Sequence, residues 1–109
     1  MKVEVGNLPS ELRKKGLEQR LVEVCQKNDI VFLAVFGSFA REEHREESDV
    51  DIAIEFAENS GKSLFDLVRV EDELTRIFGR KVDLGVFSSL SPYVIEHVKK
   101  EMQVIYEKR

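Results

Sequence analysis

The fold is decided by the stretch Ser48-Asp49-Val50-Asp51-Ile52-Ala53-Ile54-Glu55-Phe56, residues 48–56. Its apolar side chains alternate strictly with Asp49, Asp51, Ala53 and Glu55. Successive side chains of a β-strand point to opposite faces of the sheet. The stretch therefore predicts a strand that buries one face in a core and presents Asp49 and Asp51 side by side on the other.

The flanking segments predict the other elements of an α/β fold. The apolar run over residues 30–36 predicts a strand buried on both faces. Helically spaced apolar residues predict a helix over residues 11–27, although Gly16 weakens its first half. Ser63 and Asp66 form a capping box that opens a second helix, which we expect to end at Gly79.

The pattern continues to the end of the chain. Residues 82–86 alternate again and predict a strand, Ser91-Pro92 opens a last helix, and residues 104–106 predict a closing edge strand. A further short strand is expected around Val3 and Val5. We therefore predict one α/β (α+β) domain over residues 1–109, a mixed β-sheet flanked by helices.

The same patterns predict the core. The second helix carries an apolar stripe: Leu64, Leu67, Val68, Leu74, Ile77 and Phe78. Five aromatic residues fit core positions: Phe32, Phe36, Phe56, Phe65 and Phe78. Cys25 is expected to be a small core residue. We expect His44, in the charged run 42–47, to be solvated, and it has no second ligand at zinc spacing.

Composition excludes several classes of protein. The chain has 109 residues, of which 42% are hydrophobic and 35% charged, a globular profile. A net charge of -4 disfavours binding to nucleic acid through phosphates. The longest apolar run is far shorter than the roughly 20 residues of a membrane span, and the charged first residues predict no secretory signal. With Cys25 as its single cysteine, the chain is expected in the reducing cytoplasm.

The pair Asp49 and Asp51 points to metal chemistry. Two carboxylates this close repel each other unless a cation lies between them. Mg²⁺ prefers oxygen ligands and often completes its shell with substrate phosphates. Alone, such a pair is more often a solvated strand edge.

Two further features strengthen the metal interpretation. Gly37-Ser38 follows the buried strand, where glycine permits close backbone approach and the hydroxyl and amides can hold a phosphate. Asp83 lies in the middle of a predicted strand and shares the face of Asp49 and Asp51 if the two strands are adjacent. Each feature alone also fits an ordinary turn or an exposed aspartate. Together they predict three carboxylates beside a phosphate-holding turn.

The spacing of Gly37-Ser38, ten residues and Asp49-Val50-Asp51 resembles the signature of the polymerase-β-like nucleotidyltransferase superfamily. Residues 37–41 and 48–52 resemble its smallest branch, the minimal nucleotidyltransferases. Residues 81–84, 90–92 and 104–107 are similar to that branch as well, so the likeness covers roughly residues 17–107. One departure is Glu42, where the family commonly has Gly after the arginine; it either weakens nucleotide binding or points to solvent.

This resemblance implies a palm-like fold and a role for each residue. Gly37 and Ser38 would hold the triphosphate of ATP. Asp49 and Asp51 would bind two Mg²⁺ ions, and Asp83 would share one of them and help to deprotonate an attacking hydroxyl. The implied reaction is in-line attack on the α-phosphorus with pyrophosphate leaving. Arg41 has two interpretations: it neutralises phosphate charge, or it pairs at the surface with a nearby glutamate.

The resemblance also implies a partner, a helical HEPN-type RNase toxin that this chain would neutralise by attaching AMP to a tyrosine. Two alternatives stay open. The chain could be a non-catalytic antitoxin that masks its partner sterically, which Glu42 and the apolar helices favour. It could instead modify a small molecule, although a short chain leaves little from which to build a substrate pocket. The oligomeric state, homo- or hetero-oligomer, is left open.

Overall fold

Five strands form one mixed sheet in the computed structural model of the chain, which describes residues 1–108. The elements are β1 (Lys2–Val3), α1 (Leu17–Lys27), β2 (Ile30–Phe36), β3 (Val50–Phe56), α2 (Leu64–Phe78), β4 (Val82–Val86), a 3-10 turn (Phe87–Ser89), α3 (Pro92–Glu101) and β5 (Gln103–Glu107). Across the sheet the order is β1-β5-β2-β3-β4. The predicted fold class is confirmed. Arg109, the last residue of the predicted domain, lies outside the described residues.

The strand register brings three strand ends together. Strands β2 and β3 are antiparallel, with Phe36 opposite Asp51. Strands β3 and β4 are parallel, with Val50 opposite Val82. A parallel pair needs a crossover connection, and α2 supplies it. As a result, the C-terminal end of β2 and the N-terminal ends of β3 and β4 meet at one end of the sheet.

The core lies between the sheet and two helices. Val50, Ile52 and Ile54 of β3 are fully buried, in one apolar cluster with side chains from α1 and α2. The two helices pack on each other as well as on the sheet. Burying one such aliphatic side chain contributes about 1.5–3 kcal/mol. Because this face of β3 is buried, its alternate residues are left for the opposite face.

Helix α1 is shorter than predicted, since it begins at Leu17 rather than at residue 11. Gly16 precedes it with φ of 79°, a left-handed conformation that interrupts a helix. Residues 11–15 form turns instead. Leu12 is nonetheless fully buried, and Leu8 nearly so, so these apolar side chains reach the core from turns.

Helix α2 keeps its predicted ends, but only part of its predicted apolar stripe faces the core. The Asp66 carboxylate accepts the Ser63 backbone N–H at 2.8 Å, which confirms the capping box, and Gly79 has φ of 68° at the C-cap. The predicted burial of three residues near its start is wrong, because their side chains are 75%, 86% and 60% exposed: Leu64, Phe65 and Val68. The rest of the stripe is confirmed, because Leu74, Ile77 and Phe78 are buried, together with Val70.

Strand β5 lies inside the sheet, so the prediction of an edge strand at 104–106 is wrong. It pairs with β2 on one side and with β1 on the other, and Ile105 and Tyr106 are buried. The edge strand on this side of the sheet is the two-residue β1. Helix α3 begins as predicted, with Pro92 in its first turn and the Ser91 hydroxyl accepting the Val94 N–H. No helix among residues 1–108 is both long and apolar enough to cross a membrane.

The charged run after residue 41 is attached to the body of the protein, and the prediction that His44 is solvated is wrong. The His44 ring stacks on Phe39 with ring centroids 4.2 Å apart, and its Nε2 contacts the Glu11 carboxylate. Arg80 lies over the Phe39 ring and donates to the Glu46 carbonyl at 2.6 Å. These contacts fix the loop that leads into β3.

Cys25 is fully buried, as predicted, and burial raises the pKa of its thiol to about 12. At pH 8 the native thiol is then almost entirely protonated, and the thiolate is its reactive form. We expect Ellman's reagent at pH 8 to leave native Cys25 unmodified and to react with it within minutes in guanidinium. A Ser89→Cys variant, with a second thiol at an exposed position, is the positive control. Fast labelling of the native wild type would contradict the burial.

Candidate active site

Three aspartates lie at one end of the sheet. Asp51 is the second residue of β3 and stands directly opposite Asp83, the second residue of β4. Asp49 immediately precedes β3. Since Val50 and Ile52 are buried toward the helices, alternation turns Asp49 and Asp51 to the opposite face, and Asp83 shares it through the register. The structure thus places the three on one face, and their catalytic roles stay predictions.

Asp51 lies in an unfavourable electrostatic environment. Burial raises the pKa of its carboxyl group, and the negative charges of Asp83 and Asp49 raise it further. Arg41 opposes this effect, while Glu101 adds to it. The ionised carboxylate is therefore disfavoured in the native protein without a counter-charge, and a cation near Asp51 would relieve this cost.

The turn at Gly37 approaches Asp51 so closely that this position needs a glycine. It follows β2 directly and has φ of 73°, a conformation that favours glycine. A Cβ atom at this position would collide with Oδ2 of Asp51 and lie 3.0 Å from its Cγ. The absence of a side chain therefore lets the backbone of the turn approach the carboxylate.

The segment after Gly37 forms a tight turn. The Arg41 N–H donates to the Gly37 carbonyl at 3.1 Å, and the Glu43 N–H donates to the Ser38 carbonyl at 2.8 Å. Ser38 is half-buried, and its hydroxyl makes no hydrogen bond to another residue within 1–108. The hydroxyl is therefore available to a ligand placed next to Asp51.

Glu42 stands where the resemblance leads one to expect a glycine after Arg41, and its backbone conformation shows why glycine suits this position. Its φ is 59°, a left-handed conformation that costs a non-glycine residue about 1–2 kcal/mol. Its side chain is exposed, which favours the interpretation in which it points to solvent. The departure from the family pattern therefore affects the turn through backbone strain.

Replacing Glu42 with Gly is expected to stabilise the protein by about 1 kcal/mol, because glycine adopts this φ without strain. For a domain of this size the melting temperature would rise by about 4–8 °C. Thermal unfolding followed by circular dichroism measures it. Asn59→Gly is the matched control: Asn59 also has φ of 59°, but asparagine tolerates it better, so its gain should be smaller. A lower melting temperature for Glu42→Gly would contradict the strain.

Glu101, which the sequence did not single out, contacts this turn at two points. Its Oε1 accepts the Gly37 N–H at 3.1 Å, and its Oε2 pairs with Arg41 Nη1 at 2.8 Å. Arg41 Nε also pairs with Glu43 at 2.7 Å, and these two carboxylates raise the pKa of the guanidinium. Arg41 is thus paired with nearby glutamates in the structure, and its neutralisation of phosphate charge stays a prediction.

The aspartates fit a divalent cation by the chemistry of their oxygen donors. Among residues 1–108, no group of three or more Asp, Glu, His or Cys side chains is arranged so that it could hold a metal ion by itself. Mg²⁺ does not need one, since it is usually held by one or two carboxylates together with waters and substrate phosphates. Asp49, Asp51 and Asp83 supply oxygen donors of the kind that such a cation takes, and their role as metal ligands stays a prediction.

This combination of sheet, carboxylates and glycine turn belongs to a nucleotidyltransferase. More specifically, the chain is a member of the polymerase β nucleotidyltransferase family, whose sequence profile matches residues 19–109. Protein adenylyltransferase MntA of Thermococcus cleftensis is 39% identical to it over 73% of this chain and 79% of its own. A protein of Methanocaldococcus jannaschii, provisionally named a protein adenylyltransferase, is 36% identical over 78% of this chain and 89% of its own. The predicted family is confirmed.

A solved structure shares the fold at lower identity. It is a complex of a tri-AMPylated Shewanella oneidensis HEPN toxin with an MNT antitoxin. The likeness has a TM-score of 0.63 and 18% identity, over 84% of this chain and 71% of that one. At this identity the likeness shows the fold alone.

Proposed function

We propose that this protein transfers AMP from ATP to a tyrosine hydroxyl of a HEPN-type toxin and thereby acts as its antitoxin. One observation carries the proposal: Asp51 stands opposite Asp83 in the β3–β4 register, next to the Gly37 turn. This arrangement suits phosphoryl chemistry, in which positioning and charge supply most of the catalysis. The protein-adenylyltransferase name of the relatives supports the choice of AMP and of a protein acceptor.

Each residue of the site then has a task. The Ser38 hydroxyl and the neighbouring backbone amides bind the triphosphate. Asp83 accepts the proton of the tyrosine hydroxyl as its oxygen attacks the α-phosphorus. The new bond joins the tyrosine oxygen to the α-phosphorus, and the bond from that phosphorus to the bridging oxygen breaks. Pyrophosphate leaves with the bond's electron pair.

Asp49, Asp51 and Asp83 would hold two Mg²⁺ ions, which when bound supply positive charge to offset the charge on the entering and leaving oxygens. The raised pKa of Asp51 supports this assignment, because ionised Asp51 lacks a sufficient counter-charge in the protein alone. We place the protein in the cytoplasm, where ATP is abundant and the free thiol of Cys25 stays reduced.

The proposed partner is supported by the surface of the protein as well as by the relatives. Leu64, Phe65 and Val68 are exposed and adjacent on α2, and contiguous exposed apolar side chains are typical of interaction sites. The related fold occurs in a complex of an MNT antitoxin with an AMPylated HEPN toxin. The same surface also suits the steric alternative, in which the chain masks its partner without turnover.

The proposal is tested by incubating the protein with labelled ATP, Mg²⁺ and a HEPN-type toxin, the proposed partner. We expect label to enter the partner on a tyrosine, as mass spectrometry would locate it. Omission of Mg²⁺ is the control and should abolish transfer. Absence of label in the partner, when both proteins are folded and bind each other, would contradict the enzymatic proposal.

A further inference from the structure

Glu101 connects the two ends of the phosphate-holding turn. One carboxylate oxygen accepts the N–H of Gly37, where the turn begins, at 3.1 Å. The other pairs with the guanidinium of Arg41, where the turn ends, at 2.8 Å. Glu101 is the last residue of α3, so a distant element holds the turn in place at both ends.

The carboxylate is well suited to a fixed position. Its side chain is only 14% exposed. Burial raises its pKa, but the hydrogen bonds from Arg41 and from the Gly37 N–H outweigh burial and keep the pKa below its usual value. A phosphate that displaced Glu101 would leave a mostly buried carboxylate without partners, which is strongly unfavourable. We therefore expect the contacts of Glu101 to persist when nucleotide binds.

The groups that Glu101 engages differ from those that remain available. Gly37 N–H and Arg41 are occupied, whereas the Ser38 hydroxyl makes no hydrogen bond to another residue of the described chain. Glu101 thus holds the turn through its ends and leaves Ser38 free between them. A group that binds the triphosphate next to Asp51 must be held close to its productive position, because a misplacement of about 1 Å can lower a rate by about 100-fold.

We propose that Glu101 is a positioning residue, which acts through Gly37 and Arg41 to hold Ser38 in place for AMP transfer. This inference rests on the proposed function. It departs from the expectation that Arg41 neutralises phosphate charge, because Arg41 serves here to fix the turn to α3.

The test is Glu101→Gln, which turns one acceptor oxygen into a donor that faces either Arg41 or the Gly37 N–H. We expect kcat for AMP transfer to fall by about 10–100-fold, with KM for ATP within threefold of the wild-type value. Glu43→Gln is the matched control, since it makes the same chemical change at the other, more exposed carboxylate on Arg41. Its kcat should stay within twofold of the wild-type value.

A coupling measurement separates positioning from a general loss of stability. Because Glu101 acts in part through Arg41, Glu101→Gln should lower kcat by a smaller factor in an Arg41→Gln background than in the wild type, since coupled residues are not additive. Amide hydrogen exchange of Gly37 should also be faster in Glu101→Gln, whether or not the protein turns over.

The outcomes distinguish the inference from the proposed function. A wild-type protein that transfers no AMP overturns the proposed function. An active wild type together with a Glu101→Gln variant within threefold of it overturns the inference alone. Tighter ATP binding by Glu101→Gln also overturns it, because Glu101 would then compete with the phosphates.

Discussion

Replacing Asp51 with Asn should lower AMP transfer by about 1000-fold or more, because losing several kcal/mol of charge stabilisation in the transition state has that effect. Asp51 lies between Asp83 across the strand pair and Asp49 on its own segment. In the proposed metal site, Asp51 is therefore the carboxylate that lies between the other two. An amide at this position keeps the shape of the side chain but removes its negative charge.

The same substitution should leave the fold intact. The pKa of Asp51 is raised in the native protein, so at neutral pH the ionised carboxylate disfavours folding, and this cost disappears only as the pH falls through the raised pKa. Without metal, Asp51→Asn should therefore melt at or above the wild-type temperature. Loss of activity with retained stability would show that the substitution impairs the chemical step and not the fold.

Glu55→Gln is the matched control for Asp51→Asn. Glu55 lies on the same face of β3, four residues further along, and accepts hydrogen bonds from the N–H and hydroxyl of Ser88, both at 2.9 Å. AMP transfer by both variants is measured with labelled ATP and the partner toxin. The rate of Glu55→Gln should stay within threefold of the wild-type rate. An Asp51→Asn variant within tenfold of the wild type would contradict the proposed site.

The same variant decides between catalysis and steric masking. In cells that express the partner toxin, an enzymatic antitoxin should lose protection when Asp51 is replaced. A masking antitoxin should keep it, because the exposed apolar side chains of α2 are unchanged. Retained protection by a catalytically dead Asp51→Asn would therefore favour the steric alternative.

The part of the site that could be predicted is the part that local rules determine. A period of two places Asp49 and Asp51 on the face opposite Val50 and Ile52, and this holds whatever the strand packs against. The position of Asp83 needed one further condition, that β4 lies next to β3, and the crossover helix α2 satisfies it. The family resemblance then added roles that alternation cannot give.

Long-range packing determines what the sequence did not reveal. Glu101 lies 60 residues beyond Arg41, and no local pattern relates them. The edge assignment of β5 failed because the order of strands in a sheet depends on tertiary contacts. Leu64 and Val68 have helical spacing, as do Leu74 and Phe78, and spacing alone does not say which set faces the core. The predicted start of the helix at residue 11 was wrong because Gly16, the weak point in the pattern, interrupts the helix.

Replacing Gly37 with Ala is expected to impair both folding and activity. The residue has φ of 73°, and a left-handed alanine costs about 1–2 kcal/mol through strain alone. In addition, the new Cβ would collide with Oδ2 of Asp51, so the turn or the carboxylate must move. Since a shift of about 1 Å between reacting groups can lower a rate by about 100-fold, we expect at least that loss of AMP transfer.

Gly61→Ala separates the collision from the backbone strain. Gly61 has φ of 67°, nearly that of Gly37, but a Cβ there would meet no atom within 4 Å. Both variants should therefore lose about 1–2 kcal/mol of stability from the strained backbone, as thermal unfolding would measure. Only Gly37→Ala should lose more than this and also lose activity, because only its side chain displaces Asp51. If both variants lost activity alike, strain or reduced stability would be sufficient, and the close approach of Gly37 to Asp51 would have no special role in catalysis.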